Sequence, residues 1–86
     1  MDDGQRRAPT KEEIDEEFRR ARRLQILVHL ALSIIAQGSL PVEEAQELAA
    51  ATKRVALTLF PDKEATYDLI YRPKFQRLMN EVYRLQ

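Results

Sequence analysis

The feature that most constrains this chain is the run from Leu24 to Ala36, Leu-Gln-Ile-Leu-Val-His-Leu-Ala-Leu-Ser-Ile-Ile-Ala, apolar at nearly every position within a helical pattern. A helix that apolar has to be covered on more than one side. Projected at roughly 100° per residue, the helix that contains it carries two separate apolar sets. Ile14, Phe18, Ala21, Leu24, Val28, Ala31, Leu32 and Ile35 form a continuous stripe, which is expected to face the rest of the chain. Ile26, Leu30 and Ile34, flanked by Leu27, form a second stripe on a face that carries Glu12, Glu16, Arg19 and Arg23 one or two turns earlier. Only the second half of the helix therefore has two apolar faces. Gln25, His29, Ser33 and Gln37 recur every four residues between them as a narrow polar seam.

Local chemistry sets the limits of the helices. Thr10 followed by Glu13 has the spacing of a capping box, and Gly38 suits the left-handed position after a helix end, so helix 1 is predicted over residues 11–37. Pro41 is tolerated in a first helical turn, where its missing N–H has no partner. Helix 2 then runs to about Phe60, with Val42, Ala45, Leu48, Ala49, Thr52, Val55, Ala56 and Leu59 on one side and Glu43, Glu47, Arg54 and Thr58 on the other. Pro61 disfavours helical geometry at Phe60, Asp62 is a good N-cap, and helix 3 is predicted from about Lys63. Pro73 removes a backbone donor, so this helix either kinks there or gives way to a short fourth helix. Beyond it Phe75, Leu78, Met79, Val82 and Leu85 make a further helical stripe.

The expected fold is thus all-α, a small three-helix bundle with the third helix kinked or split at Pro73. Residues 1–9, which lack hydrophobic periodicity, read as a disordered tail, and residues 10–86 as a single α-helical domain. A chain of 86 residues buries only about 60 to 65% of its unfolded surface, so a second chain would add usefully to its stability. A twofold homodimer is the commonest way to cover a second apolar face. The interface residues expected from this pattern are Ile26, Leu27, Leu30, Ile34 and the adjoining His29. An imidazole buried there would couple assembly to pH near 6.

Several function classes are disfavoured. The 14 basic and 14 acidic residues cancel, which gives no net field for nucleic acid or an anionic membrane. The absence of cysteine removes thiolate chemistry and the usual structural zinc sites, and a lone histidine is a poor metal site. The first residues carry no apolar core of the secretory kind, and residues 24–36 are shorter than the roughly 20 apolar residues a membrane span needs. A cytoplasmic protein with no membrane span is the expectation. Arg19, Arg20, Arg22 and Arg23 follow an acidic run, and Asp15 with Arg19 and Glu16 with Arg20 have the favourable i,i+4 order, so this face reads as self-neutralised. Tyr67, Asp68 and Tyr71 could line a pocket, but no nucleophile, base and orienting group can be assembled from them. No catalytic, cofactor or metal residues are assigned.

The resulting expectation is a non-catalytic interaction or adaptor module that self-associates or binds a partner helix through the second apolar face of helix 1. The alternative is a nucleic-acid-binding accessory protein using Arg72, Lys74, Arg77 and Arg84, with Tyr71, Phe75 and Tyr83 interleaved as stacking groups.

Overall fold

A computed structural model describes residues 8–84. Four helices follow in order, α1 (Lys11–Ala36), α2 (Val42–Leu59), α3 (Glu64–Ile70) and α4 (Arg72–Tyr83), and there is no strand among the described residues. The layout is the expected three-helix bundle, with its last member broken at the Pro73 region into α3 and α4. The expected disordered tail lies, up to residue 7, outside the described residues, as does Leu85 of the last stripe.

The start and end of α1 are fixed by the chemistry its sequence supplies. Extended Thr10 accepts a hydrogen bond from the Glu13 N–H on Oγ1 at 3.1 Å, and Glu13 Oε1 accepts from the Thr10 N–H at 2.8 Å. This reciprocal pair satisfies two donors that a helix start otherwise leaves open. At the other end Gly38 has φ +73° and its N–H donates to the Ile35 carbonyl at 3.0 Å. Pro41 lies one residue outside α2 as its N-cap, where its carbonyl accepts from the N–H groups of Glu44 and Ala45, each at 3.0 Å.

The junction before α3 departs from expectation. Asp62 does not cap the helix; Lys63 holds the N-cap position and no side-chain cap is formed. The cause is the turn itself, because the Lys63 N–H closes back onto the Phe60 carbonyl at 3.1 Å. That bond places Asp62 inside the turn, one residue too early to reach the first helical amides. At the next junction α4 begins at Arg72, so Pro73 sits within its first turn, where a missing N–H costs nothing.

The core is one cluster of Val28, Ala31 and Ile35 from α1, Ala45 and Ala56 from α2, Tyr67 from α3, and Phe75 and Met79 from α4. Alanine at Ala31, Ala45 and Ala56 leaves little side chain between helix axes, which favours close approach. The buried Thr52 donates its hydroxyl to the Leu48 carbonyl at 2.8 Å, so it costs no open donor. Val55, at the margin of the α2 stripe, is exposed rather than packed. Tyr83 Oη donates to the Leu40 carbonyl at 2.7 Å and fastens the end of α4 to the α1–α2 connection.

α1 packs against α2 and α4, whereas α3 packs on α4 and touches α2 but not α1. At the far end of α2 the Arg20 guanidinium lies over the Phe60 ring, 5.7 Å from its centroid. The end of α2 is therefore level with Arg20, and the earlier turns of α1 have only the turn at residues 59–63 beside them, with Glu13 and Glu17 lining a shared hollow. Ile14 and Phe18, expected to face the other helices, are instead exposed, Phe18 at 73%. They lie on the inward stripe, but no helix packs over them.

Replacing Gly38 by alanine is expected to cost about 1–2 kcal/mol for the left-handed backbone. A Cβ there would meet Val82 Cγ1 at 3.6 Å, an ordinary contact, so the loss is conformational rather than steric. Gly38→Asn should recover part of it, read as the midpoint of urea unfolding.

Candidate interaction surface

From Ala21 onward, the residues of α1 that pack inward and those that do not divide as the two apolar sets do. Val28, Ala31 and Ile35 are buried, with Ala21, Leu24 and Leu32 half-buried beside them. On the opposite face Ile26 is 51% exposed, Leu30 53% and Ile34 41%. Leu27 is half-buried at the edge of this set. The chain's own helices do not reach that face, because α2 and α4 both lie on the inward side of α1. Scattered surface leucines are ordinary, but a row of three large aliphatic residues at successive turns is a contiguous patch.

The seam is a solvent edge along this patch. Gln25, His29, Ser33 and Gln37 are all exposed. His29 thus borders the apolar row without entering the core. On the first half of α1, Glu16 pairs with Arg19 rather than Arg20, Arg19 Nη2 donating to Glu16 Oε1 at 2.8 Å, and this holds the Glu16 carboxyl below the usual range. Arg20 is drawn away to Phe60, so the expected i,i+4 pairing of Glu16 with Arg20 gives way to a tertiary contact.

Of the four residues of the alternative nucleic-acid face, Arg72 stands apart. Arg72, Lys74, Arg77 and Arg84 are exposed, but Arg72 lines a groove on the α2 side of α4, whereas Arg77 belongs to the outward side. The aromatic groups that would stack on bases are occupied. Phe75 is buried, Tyr83 holds Leu40, and Tyr71 receives Lys74 at 5.8 Å and packs on Tyr67 at 5.3 Å between centroids.

Two grooves flank α3, one of them hinted at by the sequence and one not. The larger, about 620 Å³, runs between α2, α3 and α4 and contains Lys53, Tyr67, Asp68 and Arg72. Lys53 Nζ lies 2.9 Å from Glu64 Oε2 and donates to Asp68 Oδ2 at 3.2 Å. Asp68 Oδ1 makes no directed hydrogen bond, yet it stands 3.0 Å from the same ammonium, so its charge is paired. The bonds to Glu64 and Asp68 hold the Lys53 ammonium above the usual lysine range. The smaller groove, about 230 Å³, is mostly apolar and opens between α1, α2 and α3, with Leu24, Phe60, Ile70 and Tyr71 in its walls. Adjacent Leu69 and Ile70, both exposed, were the only local sign that α3 is poorly covered; Lys53 gave none, since its partners come from another helix.

The Tyr67 hydroxyl is buried without a hydrogen-bond partner, and burial pushes its phenol up from the ordinary value. Tyr67 and Asp68 do line a common groove, as anticipated, while Tyr71 lines the other. Among the described residues no group of acidic, histidine or cysteine side chains could hold a metal ion, and no helix is long and apolar enough to cross a membrane. No protein-family model, curated protein or solved structure matches the chain.

Lys53 and Tyr67 both have folded-state pKa values above those of the unfolded chain. Their contribution is fully present below about pH 10 and is lost as pH rises through the folded values. Thermal stability is therefore expected to fall in alkali, with a shallower fall in Lys53→Met. Tyr67→Phe removes a buried hydroxyl that has no partner, and should leave neutral-pH stability unchanged or raise it by about 1–2 kcal/mol, measured by urea unfolding.

Proposed function

We propose that this chain is a non-catalytic helical interaction module that self-associates or captures a partner helix through the outer face of α1. The observation that carries the reading is the exposed row Ile26, Leu30 and Ile34, which lies on the side of the helix opposite the core. Among the described residues, α1 is the only helix with large aliphatic side chains on both sides over several turns. Covering one side folds the chain; the other remains in water. Burying a Leu or Ile side chain is worth about 1.5–3 kcal/mol, so an apolar partner on this face has a favourable free energy available to it. The rim supports the same reading, since Gln25, His29, Ser33 and Gln37 border the row with groups able to hydrogen-bond at an interface edge.

An adaptor role follows from what surrounds the row. It stands on the longest of the four helices, whose N-terminal capping box and C-terminal backbone bonds fix both ends, so the surface is presented on a rigid element. The mixed acidic and basic first half of α1 prolongs the same face and would select among partners by charge.

Leu30→Asp is expected to abolish association, giving a single 10.0 kDa species by analytical ultracentrifugation at micromolar concentration. Its helical circular dichroism should match that of the unaltered chain. Loss of helicity instead would mean that Leu30 supports the fold, and an unchanged mass distribution would mean that the chain does not self-associate through this face.

A further inference from the structure

Resting on that reading, we infer that the occupant of the outer α1 face is the α1 helix of a second copy running antiparallel, with Leu30 on the twofold axis. Ile26 and Ile34 stand one helical turn to either side of Leu30. An antiparallel twofold at Leu30 therefore sets Ile26 against the partner's Ile34 and Ile34 against the partner's Ile26. The row is self-complementary in this register, which is the condition an isologous interface imposes.

Charge chooses between the two directions. The apolar row continues toward the start of α1 as exposed Arg23, Arg19, Glu16 and Glu12 on the same face. A parallel pair would lay each of these along its own copy, arginine to arginine and glutamate to glutamate, and like charges across an interface disfavour that arrangement. In the antiparallel register Arg23 comes level with the partner's Gln37, at the end of the partner's α1. That end carries the negative pole of the helix, and the last turn of α1 has no basic residue of its own. A cation near a helix C-terminus is stabilising. Arg23 of each copy thus supplies to the other the charge that its own helix end lacks. Arg19 is tied to Glu16 at 2.8 Å, whereas Arg23 acts on the Glu16 carboxyl only from a distance, as the weakest of its basic neighbours, and is available for this. α2 and α4 pack on α1, whose buried residues are Val28, Ala31 and Ile35, so the side that bears Leu30 is left open to the approach.

The chain contains no cysteine, which permits a direct test by single introduced thiols. Leu30→Cys, Ile26→Cys and Ile34→Cys are prepared separately and oxidised under mild conditions, alone and as an equimolar mixture of the last two. A disulfide needs Cα atoms about 4.4–6.8 Å apart. The antiparallel register is expected to give a cross-linked dimer for Leu30→Cys alone and, for the Ile26→Cys and Ile34→Cys mixture, mostly the mixed dimer by mass spectrometry. Efficient cross-linking of Ile26→Cys with itself and of Ile34→Cys with itself would overturn the antiparallel arrangement. Sedimentation of the unaltered chain separates this failure from failure of the underlying reading. A dimer that Leu30→Asp dissociates but that cross-links in the parallel pattern keeps the face and refutes the direction. A chain that stays monomeric at micromolar concentration refutes self-association, and a dimer insensitive to Leu30→Asp refutes the face itself. As a further readout, Arg23→Glu should weaken the antiparallel dimer several-fold; in a parallel pair the same change exchanges one like-charge contact for another and leaves affinity nearly unaltered.

Discussion

The rest of this structure depends on the close seating of α1 against α2. Ala31, Ala45 and Ala56 are sealed in the core beside Ile35, which has no exposed surface at all. Small side chains let the two backbones approach and leave Ile35, Val28 and the α4 residues Phe75 and Met79 to fill the remaining space. The cost is a thin core. Three of its eight fully buried apolar residues are alanines, so little apolar area is removed from water for each residue ordered. A chain built this way folds with one side of its longest helix still uncovered. That shortage links the architecture to the proposed association, because a second helix would supply apolar contact that the chain itself does not.

Most of the architecture is legible in the sequence where local chemistry decides it. Thr10 with Glu13, Gly38, and the prolines at positions 61 and 73 mark helix limits through donors, acceptors and backbone angles that depend on a few neighbouring residues. The division of α1 into two apolar faces is equally local, following from the helical period alone. Asp62 was misread because the turn closed by Lys63 and Phe60 shifts the helix start by a residue, and one residue is enough to take a capping carboxylate out of reach. Ile14 and Phe18 were misread for a different reason. Their side of the helix is correct, but whether that side is covered depends on where α2 ends relative to α1, which no local pattern records.

The candidate surface divides along the same line. Ile26, Leu30 and Ile34 could be placed on one face from spacing, and their exposure then depends on both neighbouring helices choosing the other side. The Lys53, Glu64 and Asp68 cluster was illegible, since it joins α2 to α3 across a turn whose geometry only the fold supplies. Of Arg72, Lys74, Arg77 and Arg84, Arg72 turns toward α2 and Arg77 does not, a division set by how α4 seats on α2 rather than by their spacing in the sequence.

Tyr67 forms part of the wall of both grooves beside α3. They are two chambers with a common partition, not independent cavities. The partition stands on a seven-residue helix that does not pack on α1, so the seat of one ring fixes the width of both the chamber that holds Lys53 and Asp68 and the smaller apolar one. Its hydroxyl has no hydrogen-bond partner, which leaves ring packing alone to hold the partition between the two sides.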